Sequence, residues 1–457
     1  MRRICLAVLF FLVSLLPPVS SVLRASSSPG PFGKALLISD LHFDPLSDPA
    51  ILKQLIAAPA SEWESIFACS GQTGCAHSPQ DSNYPLLRSA LSAAAGQNPT
   101  DFAIALGDYL RHDFETAFIK AGGDQKEFSS FATKTAVYVI HTLQTSLGVP
   151  VCLALGNDDS PYGDYRMAPG SPFLGAVADA LDVLVQNPEA AADFRAGGFY
   201  ELPHPTVPNQ KILVLNSVLW SSLYSNSESD KSDPGAAELD WLSSKLYRAK
   251  ALGNKVILVM HIPPGIDSYK SAQAGHNKPA TEFWQDRYFA RFQELMRTYG
   301  DIVQIAFAGH THMDDFRVLR IPSGPVPVAF RVTPAVSPIF GNNPAFSVLD
   351  YSSSTGAISD IATYFLDLVK GGDNPGWALE YRFSKVYGYR ALTATNLEAL
   401  AAAIRADPNI RQVFAGYYAV SARSPIGLKN WPFYICAETH FTTTDYGSCV
   451  SGTQTGP

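Results

Sequence analysis

Six short apolar runs, at 35–39, 102–106, 150–155, 211–216, 256–260 and 303–308, punctuate the first two thirds of the chain. Between them, near 84–96, 127–147, 173–187, 236–250 and 283–298, apolar residues recur at three- and four-residue spacing. The short runs read as buried strands and the periodic stretches as amphipathic helices. Their alternation predicts a layered α/β domain. After residue 312 the pattern turns hairpin-like, at 316–321, 326–332 and 346–351, with Pro, Ser and Gly clusters between, which predicts a second sheet packed on the first. From about Tyr381 the character changes, and 392–405 and 409–420 carry helical periodicity. The organisation expected is therefore a main domain over 32–375 and a small helical, disulfide-bearing subdomain over 376–457.

The start of the chain stands apart from this pattern. Arg2 and Arg3 precede an apolar stretch from Cys5 to Leu16, and small residues follow. That order predicts a secretory signal peptide over 1–25, too short for a membrane span, and an exported, soluble, monomeric product. Loss of Arg2, Arg3 and Arg24 would make the remainder still more acidic than the full chain's formal charge of −7. A net-acidic chain lacks the basic footprint of a nucleic-acid binder. In an oxidising compartment the close pairs Cys69/Cys75 and Cys436/Cys449 read as local disulfides, zinc ligation being the other reading of such spacing. Cys152 falls inside the apolar run 151–155 and reads as a buried thiol.

Chemistry concentrates where the apolar runs end. Asp40 and His42 follow the first run, Gly107-Asp108 the second and Gly156-Asn157 the third; His261 follows the fifth, and Gly309-His310-Thr311-His312 the sixth. Strand ends that become loops are where an α/β sheet presents ligands. Histidine is scarce, ten in 457 residues, so four at strand exits are poorly explained by chance. Imidazole, carboxylate and amide oxygen together suit borderline divalent ions, and two ions sharing one carboxylate suit a phosphate ester, whose charge needs neutralising on both sides of the displacement.

In this order the residues resemble the calcineurin-like metallophosphoesterases, whose D-x-H, G-D, G-N, H and G-H-x-H blocks match Asp40/His42, Asp108, Asn157, His261 and His310/His312. The resemblance implies a four-layer αββα sandwich of two packed mixed sheets flanked by helices. It also implies two divalent ions, zinc first, with manganese or iron as alternatives. One ion would take Asp40, His42, Asp108 and His312, the other Asp108, Asn157, His261 and His310, with Asp108 bridging. Asp40-Leu-His-Phe-Asp-Pro45, the cysteine loop from Cys69, His261-Ile-Pro-Pro-Gly265 and the run from Thr333 to Pro344 are similar to the acid sphingomyelinase-like phosphodiesterases and the related endopolyphosphatases, over about residues 34 to 449. The activity so implied is hydrolysis of a small phosphodiester by a metal-bound hydroxide. The alternatives are a phosphoanhydride hydrolase of the endopolyphosphatase or nucleotide type, and a catalytically weak metal-dependent phosphate-ester binder.

One position departs from the pattern. Where the family has a histidine after the G-N pair, this chain has Asp158. His112, four residues after Asp108, is then the proton donor that the resemblance supplies. Asp158 is a second candidate if burial or neighbouring charge raises its pKa. Asp159 and Asp314 read as partners or caps rather than ligands. Tyr109, Trp220 and Tyr224 read as packing that could instead wall a cleft, and His77, His141, His204, His276 and His440 read as ordinary hydrogen-bonded histidines.

Overall fold

The computed structural model describes residues 31–226, 232–275, 278–321, 324, 326–368 and 376–453. The expected signal peptide and His276 lie outside them. In chain order the strands are β1 (Phe32–Ile38), β2 (Phe102–Ala105), β3 (Val151–Leu153), β4 (Arg166–Met167), β5 (Tyr200–Pro203), β6 (Gln210–Val214) and β7 (Ser225–Asn226). There follow β8 (Lys255–Val259), β9 (Val303–Ala308), β10 (Asp315–Leu319), β11 (Val328–Val332), β12 (Ala345–Ser352), β13 (Ile358–Leu366) and β14 (Trp377–Arg382).

Twelve of these form two six-stranded mixed sheets, ordered β14-β13-β12-β1-β2-β3 and β10-β11-β9-β8-β6-β5. The strand runs that the apolar pattern marks are the parallel part of each sheet: β1, β2 and β3 form one half of the first, and β11, β9, β8 and β6 the centre of the second. Strands buried on both faces need continuous apolar sequence, and β2 and β3 are buried at every residue. Both sheets share one continuous apolar core. The helix Gln125–Leu147 packs with Tyr84–Ala95 and Pro172–Ala180, and Tyr84–Ala95 reaches β12 of the first sheet. Pro234–Ala251 packs with Asp286–Tyr299 and reaches β8 of the second. Local chemistry sets the helix ends. Asp124 caps the first turn of Gln125–Leu147 by accepting from the Lys126 N–H, and Gly148, at φ +65°, ends it in the left-handed region.

Three expectations need correction. The stretch 173–187 is not one helix: Leu181 turns extended and separates Pro172–Ala180 from Asp182–Val185. The region after residue 376 is not purely helical, because β14 pairs antiparallel with β13 as the edge of the first sheet. Its apolar side chains do not alternate as on a two-faced strand, and an edge strand can form on backbone pairing alone. Third, Cys436 and Cys449 are bridged, joining the helices Trp431–Ala437 and Thr443–Thr453, but Cys69 and Cys75 are free. Cys69 ends the helix Trp63–Ala68 with its side chain exposed, while Cys75 is half-buried, and short spacing alone does not aim two Cβ vectors at each other. Cys152 is a buried free thiol in β3, as its apolar surroundings require.

Candidate dinuclear metal centre

The carboxyl ends of β1, β2, β3, β8 and β9 converge, and the loops leaving them carry the seven expected ligands. The backbone there is unusual. Asp40, His42, Asp108, His310 and His312 all hold positive φ, between 39° and 73°. Such turns cost free energy for residues with a Cβ and persist where the surroundings over-determine them. Glycines make room for these turns. Gly107 sits at φ +97°, and a Cβ on it would lie 2.6 Å from the Gly156 nitrogen and 2.7 Å from His261 Nδ1. A Cβ on Gly309 would collide with Ser39 Oγ and press on Asp40 Oδ2.

Asp159 fixes two of the loops together. Its carboxylate accepts from the backbone N–H groups of Asp108 (2.8 Å), Tyr109 (2.7 Å), Leu110 (3.2 Å) and Gly156 (2.8 Å). The ligands are oriented one by one. His42 Nδ1 donates to the Leu110 carbonyl (2.9 Å) and His261 Nδ1 to the Leu106 carbonyl (2.7 Å), so each ring turns Nε2 toward the centre. The Asn157 amide donates to Asp164 (2.8 Å) and Asp158 (3.2 Å), leaving its Oδ1 facing His261 Nε2 at 3.1 Å. Asp108 Oδ1 accepts the Asp158 N–H (2.8 Å), so Oδ2 is the oxygen left to share. That Oδ2 lies 3.5 Å from His42 Nε2 and 3.0 Å from His261 Nε2.

These separations match what a pair of ions requires. With ligand bonds of ~2.0–2.2 Å, donor atoms on one tetrahedral ion sit about 3.3–3.6 Å apart. His42 Nε2 and His312 Nε2 are 3.1 Å apart, and Asp40 Oδ1 lies 3.4 Å from His312 Nε2 and 3.9 Å from His42 Nε2. Asp108 is common to two compact donor groups, one with Asp40 and His42 and one with His261 and His310, while His42, His112 and His312 form a third. The electrostatics agree. Burial pushes the Asp40 carboxyl up to about 7, opposed by His261 and assisted by the charge of Asp108. Burial and the neighbouring imidazoles hold His42, His310 and His312 well below the usual histidine range, so all three offer lone pairs. Burial lowers His261 most, but the charge and hydrogen bond of Asp108, with Asp40 and the Leu106 carbonyl, together outweigh it and raise the ring to about 9. A buried cluster of carboxylates with three of its four imidazoles held neutral is short of positive charge, which two dications would supply.

The sequence profile of the calcineurin-like phosphoesterases matches residues 33–314. The chain belongs to that family. It is accordingly a metal-dependent phosphoric ester hydrolase, and a dinuclear centre is what this family's fold and these His and Asp groups lead one to expect. Human acid sphingomyelinase-like phosphodiesterase 3b is 27% identical over 446 residues, 93% of this chain and 91% of that protein. Human cyclic GMP-AMP phosphodiesterase SMPDL3A is 26% identical over 374 residues, 77% of this chain and 80% of that protein. A solved dimetal phosphatase from Danio rerio superposes with a TM-score of 0.42 at 13% identity, covering 74% of this chain and 96% of that one.

The two expected non-ligand residues stand on one rim of the phosphoesterase centre. The His112 ring stacks on His42 at 3.8 Å between centroids, with 26% of the side chain exposed. Its Nδ1 is 3.1 Å from Asp81 Oδ1 and its Nε2 is 3.9 Å from Asp158 Oδ2. Burial lowers the ring's pKa, but the hydrogen bond and charge of Asp81, with Asp108 and Asp40 behind, leave it raised overall. Asp158 is pushed well above the usual carboxylate range by burial and by Asp108, Asp164, Asp159 and Asp81. His112, Asp158, Asp164 and Tyr165 line a cleft of about 800 Å³ together with Asp108, Asn157, His310 and His312.

Three residues that sequence reasoning passed over belong here. Asp81 binds both the ring and the backbone N–H of His112, and it also accepts from Ser337 Oγ (3.0 Å). Tyr165 sets its hydroxyl 3.5 Å from His310 Nε2, and the Phe340 ring meets His312 edge-on at 4.6 Å. None follows an apolar run, so no strand-exit signal marked it. Tyr109 and Trp220 are buried packing, and Tyr224 donates to the Met167 carbonyl. Asp314 is held by Arg331, Thr363 and Tyr381, and it is no ligand in this arrangement.

Proposed function

We propose that this phosphoesterase is an exported enzyme that hydrolyses a small phosphodiester at a two-ion centre formed by Asp40, His42, Asp108 and His312 on one side and Asp108, Asn157, His261 and His310 on the other. The observation that carries this is the single oxygen Asp108 Oδ2, within 3.5 Å of a histidine Nε2 from each set. When bound, the ions would supply Lewis acidity toward the phosphoryl oxygens and a lowered pKa for attacking water. Zinc suits the imidazole-rich donor set best.

The protein's own part is orientation and proton transfer. Asp81 engages His112 Nδ1, which fixes the tautomer and leaves Nε2 turned to the cleft, where it can give a proton to the departing oxygen. Asp158, raised by its acidic neighbours, stands beside Nε2 as a second proton source where the family pattern has histidine. Diester substrates are favoured by the relatives, two of which are named phosphodiesterases. Export is favoured by the basic-apolar-small order of the first residues and by the Cys436–Cys449 bridge. Turnover of bis-p-nitrophenyl phosphate, ATP, polyphosphate and sphingomyelin with zinc, manganese or cobalt tests the reading. Diester cleavage should lead; cleavage confined to ATP and polyphosphate would replace the diester reading by the phosphoanhydride one.

A further inference from the structure

We propose that Arg317 is a positioning residue for the His261/His310 half of the centre; this rests on the two-ion reading above. Arg317 stands on β10, beyond the end of the family match at residue 314, and its side chain is fully buried. Its Nη1 donates to the Pro264 carbonyl (3.0 Å) and its Nη2 to the Ile266 carbonyl (2.9 Å). Those carbonyls flank Gly265 in the loop that begins at His261, so one guanidinium bridges the turn that sets where His261 leaves the sheet.

The approach is close. Gly265 holds φ +98°, and a Cβ there would lie 3.0 Å from Arg317 Nη1 and 2.9 Å from the Phe441 ring. The guanidinium carbon also sits 5.2 Å from the Phe283 ring, which in turn meets the His310 ring edge-on at 5.1 Å. The Phe283 N–H donates to the Gly265 carbonyl (2.9 Å), closing the ring of contacts. Arg317 therefore touches the supports of two ligands of one ion and of none assigned only to the other. The tail completes its surroundings: Phe441 covers Gly265, and the Glu438 carbonyl accepts from the Val318 N–H (2.7 Å) beside it.

Burying a guanidinium is costly, and an apolar side chain of similar volume would serve a purely structural role as well or better. Its Nε has no hydrogen-bond partner among the described residues, which adds to that cost. What only the planar fork supplies is two donors at fixed separation, matched to two carbonyls of one loop. The side chain is thus explained by where it holds the loop rather than by what it adds to the core.

The test compares Arg317→Met, Arg317→Lys and Leu400→Ala in the full chain, by equilibrium dialysis against zinc with metal analysis, each well below its own melting temperature. Leu400 is a buried residue of the tail helix Ala394–Ala406, so its truncation destabilises the tail without touching the loop. Arg317→Lys keeps the buried charge and decides the matter if Arg317→Met does not fold. Both Arg317 variants should keep one ion and bind the second about 10–100-fold more weakly, the usual effect of losing a group that orients a ligand. Amide exchange in 261–266 should rise with it, while Leu400→Ala keeps both ions. Two ions at wild-type affinity in the Arg317 variants would overturn the proposal, as would loss of the second ion in Leu400→Ala. Fewer than two ions in the wild-type protein would instead overturn the two-ion reading itself.

Discussion

Asp108→Asn separates the two-ion reading from its rivals, because one side chain serves two of the donor groups. A ligand present at about a thousand times its Kd stabilises the folded state by ~4 kcal/mol, so two ions contribute ~8 kcal/mol. Unfolding entropy near ~2.1 cal/mol/K per residue gives ~0.8 kcal/mol/K for a folded part of about 400 residues. Saturating the chelated wild-type protein with zinc should therefore raise its melting temperature by ~10 °C. In Asp108→Asn the shared oxygen loses its charge at 3.5 Å from His42 and 3.0 Å from His261, and the metal-induced rise should fall to below about a third of that. The chelated mutant should nonetheless melt close to the chelated wild type, because removing the charge of Asp108 relieves the crowding that pushes Asp40, Asp158 and Asp159 upward while giving up its attraction to His261. Differential scanning calorimetry with and without chelator, beside metal analysis and turnover of a diester, measures all three. A wild-type zinc shift with near-normal turnover in the mutant would refute the shared-carboxylate centre.

His112→Ala should lower kcat on a diester by about 10²–10⁴, the usual range for a lost general acid, and an almost unchanged kcat would remove the proton-donor assignment. Asp81→Asn removes the main influence raising His112, so its protonated form is lost at lower pH and the falling limb of the pH–rate profile should move toward acid; an unmoved limb would mean that another group sets it. Gly107→Ala, at φ +97° and against Gly156 and His261, should lose metal and activity together; wild-type metal content in the purified variant would refute this. Alkylation of the native protein should label Cys69 fully and Cys75 partly, with Cys152 labelled only after unfolding, and mass spectrometry should find the Cys436–Cys449 bridge; a bridge between Cys69 and Cys75 would contradict that pattern.

The residues that converge at the candidate centre were mostly legible in the sequence, for a physical reason. Each expected ligand follows a parallel strand whose last residues are buried, and such strands write continuous apolar runs that end where the chain leaves the core. The run 303–308 ends at Gly309, and His310 and His312 follow at once. The supports were not legible. Asp81 reaches His112 from a loop 31 residues away, and Asp159 grips backbone 50 residues off through N–H groups common to every residue type. Nothing in the local pattern of either residue marks such partners. The edge strand β14 was hidden similarly, since its pairing with β13 rests on the backbone rather than on an apolar run.

The strain in the ligand loops bears on how the centre assembles. Left-handed backbone at a residue with a Cβ costs about 1 kcal/mol or more, so Asp40, His42, Asp108, His310 and His312 together cost roughly 5 kcal/mol or more. That is comparable with the whole net stability of a typical domain. The four N–H bonds to Asp159, the tight fit at Gly107 and Gly309, and the two donors of Arg317 to the His261 loop all act on backbone, and none of them involves an ion. These contacts equip the protein to bend the loops itself before any ion arrives. Binding energy from the ions then need not reshape the backbone, and it is available to neutralise the crowded carboxylates. This ordering requires the chelated protein to keep its fold while holding its ligand atoms in place, and it makes the groups that grip the loops, rather than the ligands alone, set how tightly each ion is held.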